Sequence, residues 1–97
     1  MEKRQDGLLT LRSSYAGSAY RMTLSGNLDL ENVESLAAEI TRMEESGAME
    51  TVIDLSELEF IDSSGMAALA EAGRRFRAED RDLRLLGQPR RFNAPSR

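Results

Sequence analysis

The chain has 97 residues, of which 40% are hydrophobic and 31% charged, and a formal net charge of −4. That length bounds it to one domain with a modest core, and it contains no run of about 18 apolar residues that would cross a membrane. Cysteine and histidine are both absent. Their absence excludes disulfides, thiolate metal sites, a thiol nucleophile and any catalysis that needs an imidazole base or a Ser-His-Asp triad. No cofactor is expected.

The start, Met1-Glu2-Lys3-Arg4-Gln5-Asp6, is polar and lacks the apolar segment of a signal peptide, so a cytoplasmic location is expected. The last ten residues hold Arg90, Arg91 and Arg97 and no acid, so the rest of the chain is more acidic than the whole. An acidic body repels a phosphate backbone, which argues against nucleic-acid binding and suits a protein partner with a basic surface.

Leu8, Leu9, Leu11 and Tyr15 stand among polar residues and predict a strand near 7–14, closed by the turn Tyr15-Ala16-Gly17-Ser18. Tyr20, Met22 and Leu24 then alternate with Arg21, Thr23 and Ser25, the period of a half-buried strand. The two form a hairpin. Gly26-Asn27 should break the second strand, and Asp29 stands where a helix N-cap belongs. Val33, Leu36, Ala37, Ile40 and Met43 repeat at helical spacing, with Glu31, Glu34, Glu39 and Glu44 on the other faces. This predicts a helix over about 30–46, stopped by Gly47.

Thr51-Val52-Ile53-Asp54-Leu55 reads as a short buried strand, and Ser56 to Phe60 as a connection whose apolar residues plug the core. After Ile61-Asp62-Ser63-Ser64-Gly65, a second helical pattern runs through Met66, Leu69, Ala70, Gly73 and Phe76. Leu83 to Leu86 reads as a last strand. Residues 88–97 read as a weakly ordered tail or the start of a truncated last helix, with Pro89 in its first turn. The order β-β-α-β-α-β predicts an α/β fold, a mixed sheet with helices packed on it. The whole of 1–97 is one domain in this reading, with an edge or face left for a partner or a second copy in a homodimer.

The segment Asp62-Ser63-Ser64-Gly65 lies between the carboxyl end of a strand and the start of a helix, where open α/β sheets bind ligands. The first N–H groups of the helix and its dipole favour negative charge there. Two roles for Ser63 are compatible with this chemistry: it caps the helix, or it carries a phosphoryl group in that field. Gly65 leaves the first turn without a side chain, which would let another protein's catalytic groups come close.

Leu24-Ser25-Gly26-Asn27-Leu28-Asp29 followed later by Val52-Ile53-Asp54-Leu55 and Phe60-Ile61-Asp62-Ser63-Ser64-Gly65-Met66 resembles the STAS domain, the fold of bacterial anti-sigma-factor antagonists. The resemblance runs from about Leu8 to Leu86 and implies a non-enzymatic, partner-switching regulator of transcription. The unmodified antagonist binds an anti-sigma factor that is also a serine kinase, and so frees the sigma factor. The kinase, which binds the ATP and magnesium, phosphorylates the serine after the aspartate, and a separate serine phosphatase resets it. Carried onto this chain, the phosphoacceptor is Ser63, and Asn27, Asp29, Asp62, Ser64, Gly65 and Met66 form the partner-binding site. Asn27 stands where that family usually has glutamate. The family also includes accessory subunits of membrane transport complexes and scaffold modules, which need no phosphorylation.

Overall fold

The computed structural model describes residues 2–93. Chain order is β1 (Glu2–Asp6), β2 (Leu9–Ala16), β3 (Ala19–Leu28), α1 (Val33–Glu45), β4 (Glu50–Asp62), α2 (Ser63–Ala78), β5 (Leu83–Leu86) and β6 (Arg91–Asn93). The strands form one sheet in the order β1-β2-β3-β4-β5, and β6 pairs with β4 beyond the end of β5. The first two pairings are antiparallel and those of β3, β5 and β6 with β4 are parallel. The sheet is therefore mixed, as the element order predicts.

Register carries the core. Leu11 lies opposite Leu24, Met22 opposite Ile53 and Leu28 opposite Ile61, and all six are buried. They form one face of the sheet, because side chains alternate along a strand while paired residues share a face. Leu36, Ile40 and Met43 of α1 and Leu69, Ala72 and Phe76 of α2 complete the same core. The opposite face is polar and is bridged by Arg12–Glu57 at 2.6 Å and Arg21–Asp54 at 2.8 Å.

Four departures from the sequence reading have physical causes. First, β1 was not expected, because Glu2 to Asp6 has no apolar alternation. It is a charged edge strand, tied to α1 by Arg42–Glu2 at 2.9 Å and by the Ser35 hydroxyl donating to Asp6 at 2.6 Å. Second, Gly26-Asn27 does not end β3, which runs on to Leu28. Gly26 takes a φ of +89°, and a Cβ there would collide with the Leu8 carbonyl. The glycine makes a bulge rather than a stop.

Third, Ser56 to Phe60 belongs to β4. The ladder with β3 shifts register twice, between Thr23 and Ser25 and between Gly26 and Asn27, with β4 carrying the extra residue each time. The shifts replace a period of two by a spacing of three, so Leu55, Leu58 and Ile61 all face the core. That spacing hid the strand. Fourth, where a loose tail or a helix start was expected after Gly87, Arg91–Asn93 form a strand beside Phe60 to Asp62. The Arg90 N–H donating to the Leu58 carbonyl at 2.9 Å leads the chain there. The rest of the expected tail, residues 94–97, lies outside the described residues.

Helix α1 is also shorter than expected and differently started. Asp29 is not its cap: the Asp29 carboxylate accepts the Glu31 N–H at 3.0 Å in a local turn, and Asn32 holds the N-cap position. Glu39, expected on an outer face, is only 3% exposed. It accepts the Tyr20 hydroxyl at 2.9 Å and the Ser13 hydroxyl at 3.2 Å, which joins α1 to β3 and β2. Burial first, and then the bond to Glu39, raise the pKa of the Tyr20 phenol.

Candidate functional site

Parallel pairing of β3 with β4 brings both sequence elements to one end of the sheet. Asn27 lies opposite Phe60 and Leu28 opposite Ile61, so the loop after β3 and the β4–α2 junction are neighbours. The loop is braced from within by Asn32. Its side chain accepts the Asp29 N–H at 3.0 Å and donates to the Asn27 carbonyl at 3.0 Å. Asn27 is half-buried and bonds through its backbone, its N–H donating to the Leu8 carbonyl at 2.9 Å.

The junction is built on Asp62. Its backbone is extended, with φ −107° and ψ −176°, and its Oδ1 accepts the Gly65 N–H at 3.0 Å. Asp62 is thus the N-cap of α2. Ser63 is therefore the first helical residue, not the cap, and it is exposed. Ser64, the next residue, is half-buried. The other Asp62 oxygen, Oδ2, accepts the Leu30 N–H at 3.2 Å. One carboxylate therefore caps the helix and holds the neighbouring loop.

Gly65 is present for a different reason from the one expected. It is buried, and a Cβ on it would stand 2.8 Å from Ile61 Cγ1 and 2.8 Å from Leu28 Cγ. The missing side chain lets the first turn of α2 settle on the core; it does not open the turn to a partner. Met66, one residue on, is 45% exposed.

Further exposed apolar residues collect at this end, and the sequence reading did not name them as site residues. Leu30, in the loop tied to Asp62, is 73% exposed. Leu8, in the β1–β2 turn against Gly26, and Phe92, beside Ile61 in β6, are also exposed. Leu30 follows Leu28 at strand spacing and precedes Val33 and Ala37 at helical spacing, so its position in the sequence reads as core and gave no signal of its exposure. Around them stand the carboxylates of Asp29, Glu31 and Asp62. Ser63 thus lies at the positive end of the α2 dipole, on a surface of apolar side chains among acids. Among the described residues no helix is long and apolar enough to cross a membrane.

A single sheet of this order, with both helices on one face and an acid-capped serine turn after the central strand, defines a STAS-type domain. The family model described as "Mlab, STAS domain" matches residues 11–96, and the chain belongs to that family. A crystal structure of an antisigma-factor antagonist STAS domain from Rhodobacter sphaeroides is similar over 86% of this chain and 90% of that one, at 26% identity and a TM-score of 0.68. An anti-sigma factor antagonist from Mycobacterium paratuberculosis is similar over 89% of this chain and 65% of that one, at 23% identity and a TM-score of 0.65. Mglu shares the fold over 76% of this chain, which spans only 18% of Mglu, at 22% identity and a TM-score of 0.68. These last two likenesses are of fold alone. No curated protein matches the chain in sequence.

Proposed function

We propose that this chain is an anti-sigma-factor antagonist whose binding is switched off by phosphorylation of Ser63. The unmodified domain binds an anti-sigma factor that is also a serine kinase and so releases a sigma factor; a serine phosphatase restores the binding form. The observation that carries the reading is the exposed Ser63 hydroxyl at the first position of α2, its capping role taken by Asp62. The likeness to the Rhodobacter antagonist domain supports it. In this reading Asn27, Asp29, Asp62, Ser64 and Met66 belong to the partner-facing surface and Gly65 shapes it from within. The domain works without catalysis of its own, in the cytoplasm.

The electrostatics suit an off switch. A phosphoserine carries about −1.5 to −2 charges at pH 7, added to a chain of net charge −4 beside the Asp62 carboxylate. Repulsion and desolvation that weaken binding by about 3 kcal/mol lower affinity more than a hundredfold. The Ser63 hydroxyl is the nucleophile, and the base that accepts its proton, the magnesium and the nucleotide come from the kinase.

Incubation of the domain with its anti-sigma kinase and ATP should place one phosphate on Ser63, and Ser63→Ala should abolish it. Phosphorylation that persists in Ser63→Ala would move the acceptor to Ser64. A cognate kinase that modifies neither serine removes the switch. A second reading is an unphosphorylated accessory subunit of a membrane transport or signalling complex; the family model is described as "Mlab, STAS domain", words that name no antagonist. Copurification with a transporter ATPase in place of a serine kinase would select it.

A further inference from the structure

We propose that the Asp62 carboxylate couples the charge state of Ser63 to the position of Leu30, so that the Leu30 loop is held in its docking pose only while Ser63 is unmodified. The tie itself is a matter of geometry; its regulation rests on Ser63 being the modified residue. Among the described residues, the bond from the Leu30 N–H to Asp62 Oδ2, at 3.2 Å, is the only hydrogen bond from residues 29–32 to β4 or α2. The loop's other bonds are internal, through Asn32 and Asp29. The loop is thus a pre-shaped unit fastened to the neighbouring helix turn at one point. The residue at that point is also its most exposed apolar side chain.

Asp62 has one carboxylate for two donors, and both bonds fix its rotamer. Oδ1 takes the Gly65 N–H at 3.0 Å and Oδ2 takes the Leu30 N–H. A phosphoryl group on Ser63 sits on the adjacent residue, at the same helix terminus. It has greater charge than the carboxylate and three acceptor oxygens for the free N–H groups of the first turn. It competes for those donors and repels the carboxylate. Rotation of Asp62 away from the phosphate breaks the Leu30 bond, and water readily takes the Leu30 N–H, because this loop is at the surface. A mobile Leu30 then has to be ordered again on docking, which lowers affinity beyond the direct repulsion. Asp62 is in this account a positioning residue for Leu30.

The test needs no partner. In the full chain, Asp62→Ser keeps a capping oxygen for Gly65 but has one short acceptor that cannot also serve Leu30. By solvent-exchange NMR, the Leu30 amide should exchange roughly tenfold faster in this variant while the Gly65 amide changes by less than about threefold. A second sample with phosphoserine incorporated at position 63 should show the same faster exchange at Leu30 with Asp62 intact. Unchanged Leu30 exchange in Asp62→Ser would overturn the tie. Faster Leu30 exchange in Asp62→Ser together with a Leu30 amide untouched by phosphoserine would overturn the coupling. Neither result bears on whether a kinase modifies Ser63, which the phosphorylation assay decides separately. Conversely, a Leu30 amide freed by installed phosphoserine in a chain that no kinase modifies keeps the coupling and removes the proposed switch.

Discussion

Two glycines of α2 provide a matched pair of substitutions whose effects should have opposite signs. In Gly65→Ala the new methyl meets Ile61 Cγ1 and Leu28 Cγ at 2.8 Å and Leu28 Cδ2 at 2.9 Å. Both neighbours are fully buried, so they have little room to yield, and overpacking of this kind costs about 1–3 kcal/mol. Helix propensity acts the other way, since alanine is better than glycine by up to about 1 kcal/mol. Packing wins, for a net loss of about 1–2 kcal/mol, or about 5–15 °C in melting temperature for a domain of this size. In Gly73→Ala, eight residues along the same helix, the new methyl meets only the mobile end of Arg77, at 3.6 Å. There the propensity term acts alone, and a gain of about 0.5–1 kcal/mol is expected. Urea unfolding of both variants beside the parent measures the two shifts directly. If Gly65→Ala is as stable as the parent or more stable, the close seating of the first turn on Leu28 and Ile61 is wrong; if Gly73→Ala is destabilised, the open setting of Gly73 is wrong.

Other substitutions test the remaining features. Gly26→Ala puts a side chain at a φ of +89° against the Leu8 carbonyl, and should cost about 3 kcal/mol or more, read as loss of cooperative unfolding or a strongly lowered urea midpoint. Glu39→Ala leaves the Tyr20 and Ser13 hydroxyls without their acceptor and should cost about 2–4 kcal/mol, whereas Glu39→Gln, which keeps an acceptor oxygen, should cost less than half of that; equal losses would refute the hydrogen-bonding role. The Ser56 N–H and hydroxyl, followed by Arg21, hold the Asp54 carboxyl below its ordinary pKa. Its contribution to stability is therefore full above about pH 4 and lost as the pH falls through its lower folded value. Thermal melts between pH 5 and 2 should fall more steeply in the parent than in Asp54→Asn, and parallel curves would show that the carboxylate is not favoured by the fold.

Much of this protein is legible in its residues, because the relevant physics is local. Alternation in Tyr20, Met22 and Leu24 and helical spacing in Leu36, Ile40 and Met43 need only one element and one buried face. The absence of histidine and cysteine bounds the chemistry whatever the fold. The Asp-Ser-Ser-Gly turn also announces its place, since a serine and an acid at a helix start follow from unpaired N–H groups alone.

What the sequence could not decide depends on neighbours distant along the chain. A lone strand does not show that its partner lacks a residue, so the two register shifts that make Ser56 to Phe60 part of β4 appear only in the pairing with β3. Glu39 reads as solvated until Tyr20 and Ser13 are brought over it from two other strands. Gly65 reads as an open door until Leu28, 37 positions earlier, is found beneath it. Which residue caps α2 and which stands free is settled by a rotamer of Asp62, and that rotamer is held as much by Leu30 as by Gly65. The sequence determined that a serine would stand at an anion-friendly helix start. Tertiary structure freed that serine from capping and set Leu30 beside it, because parallel pairing joins two loops that are distant in the chain.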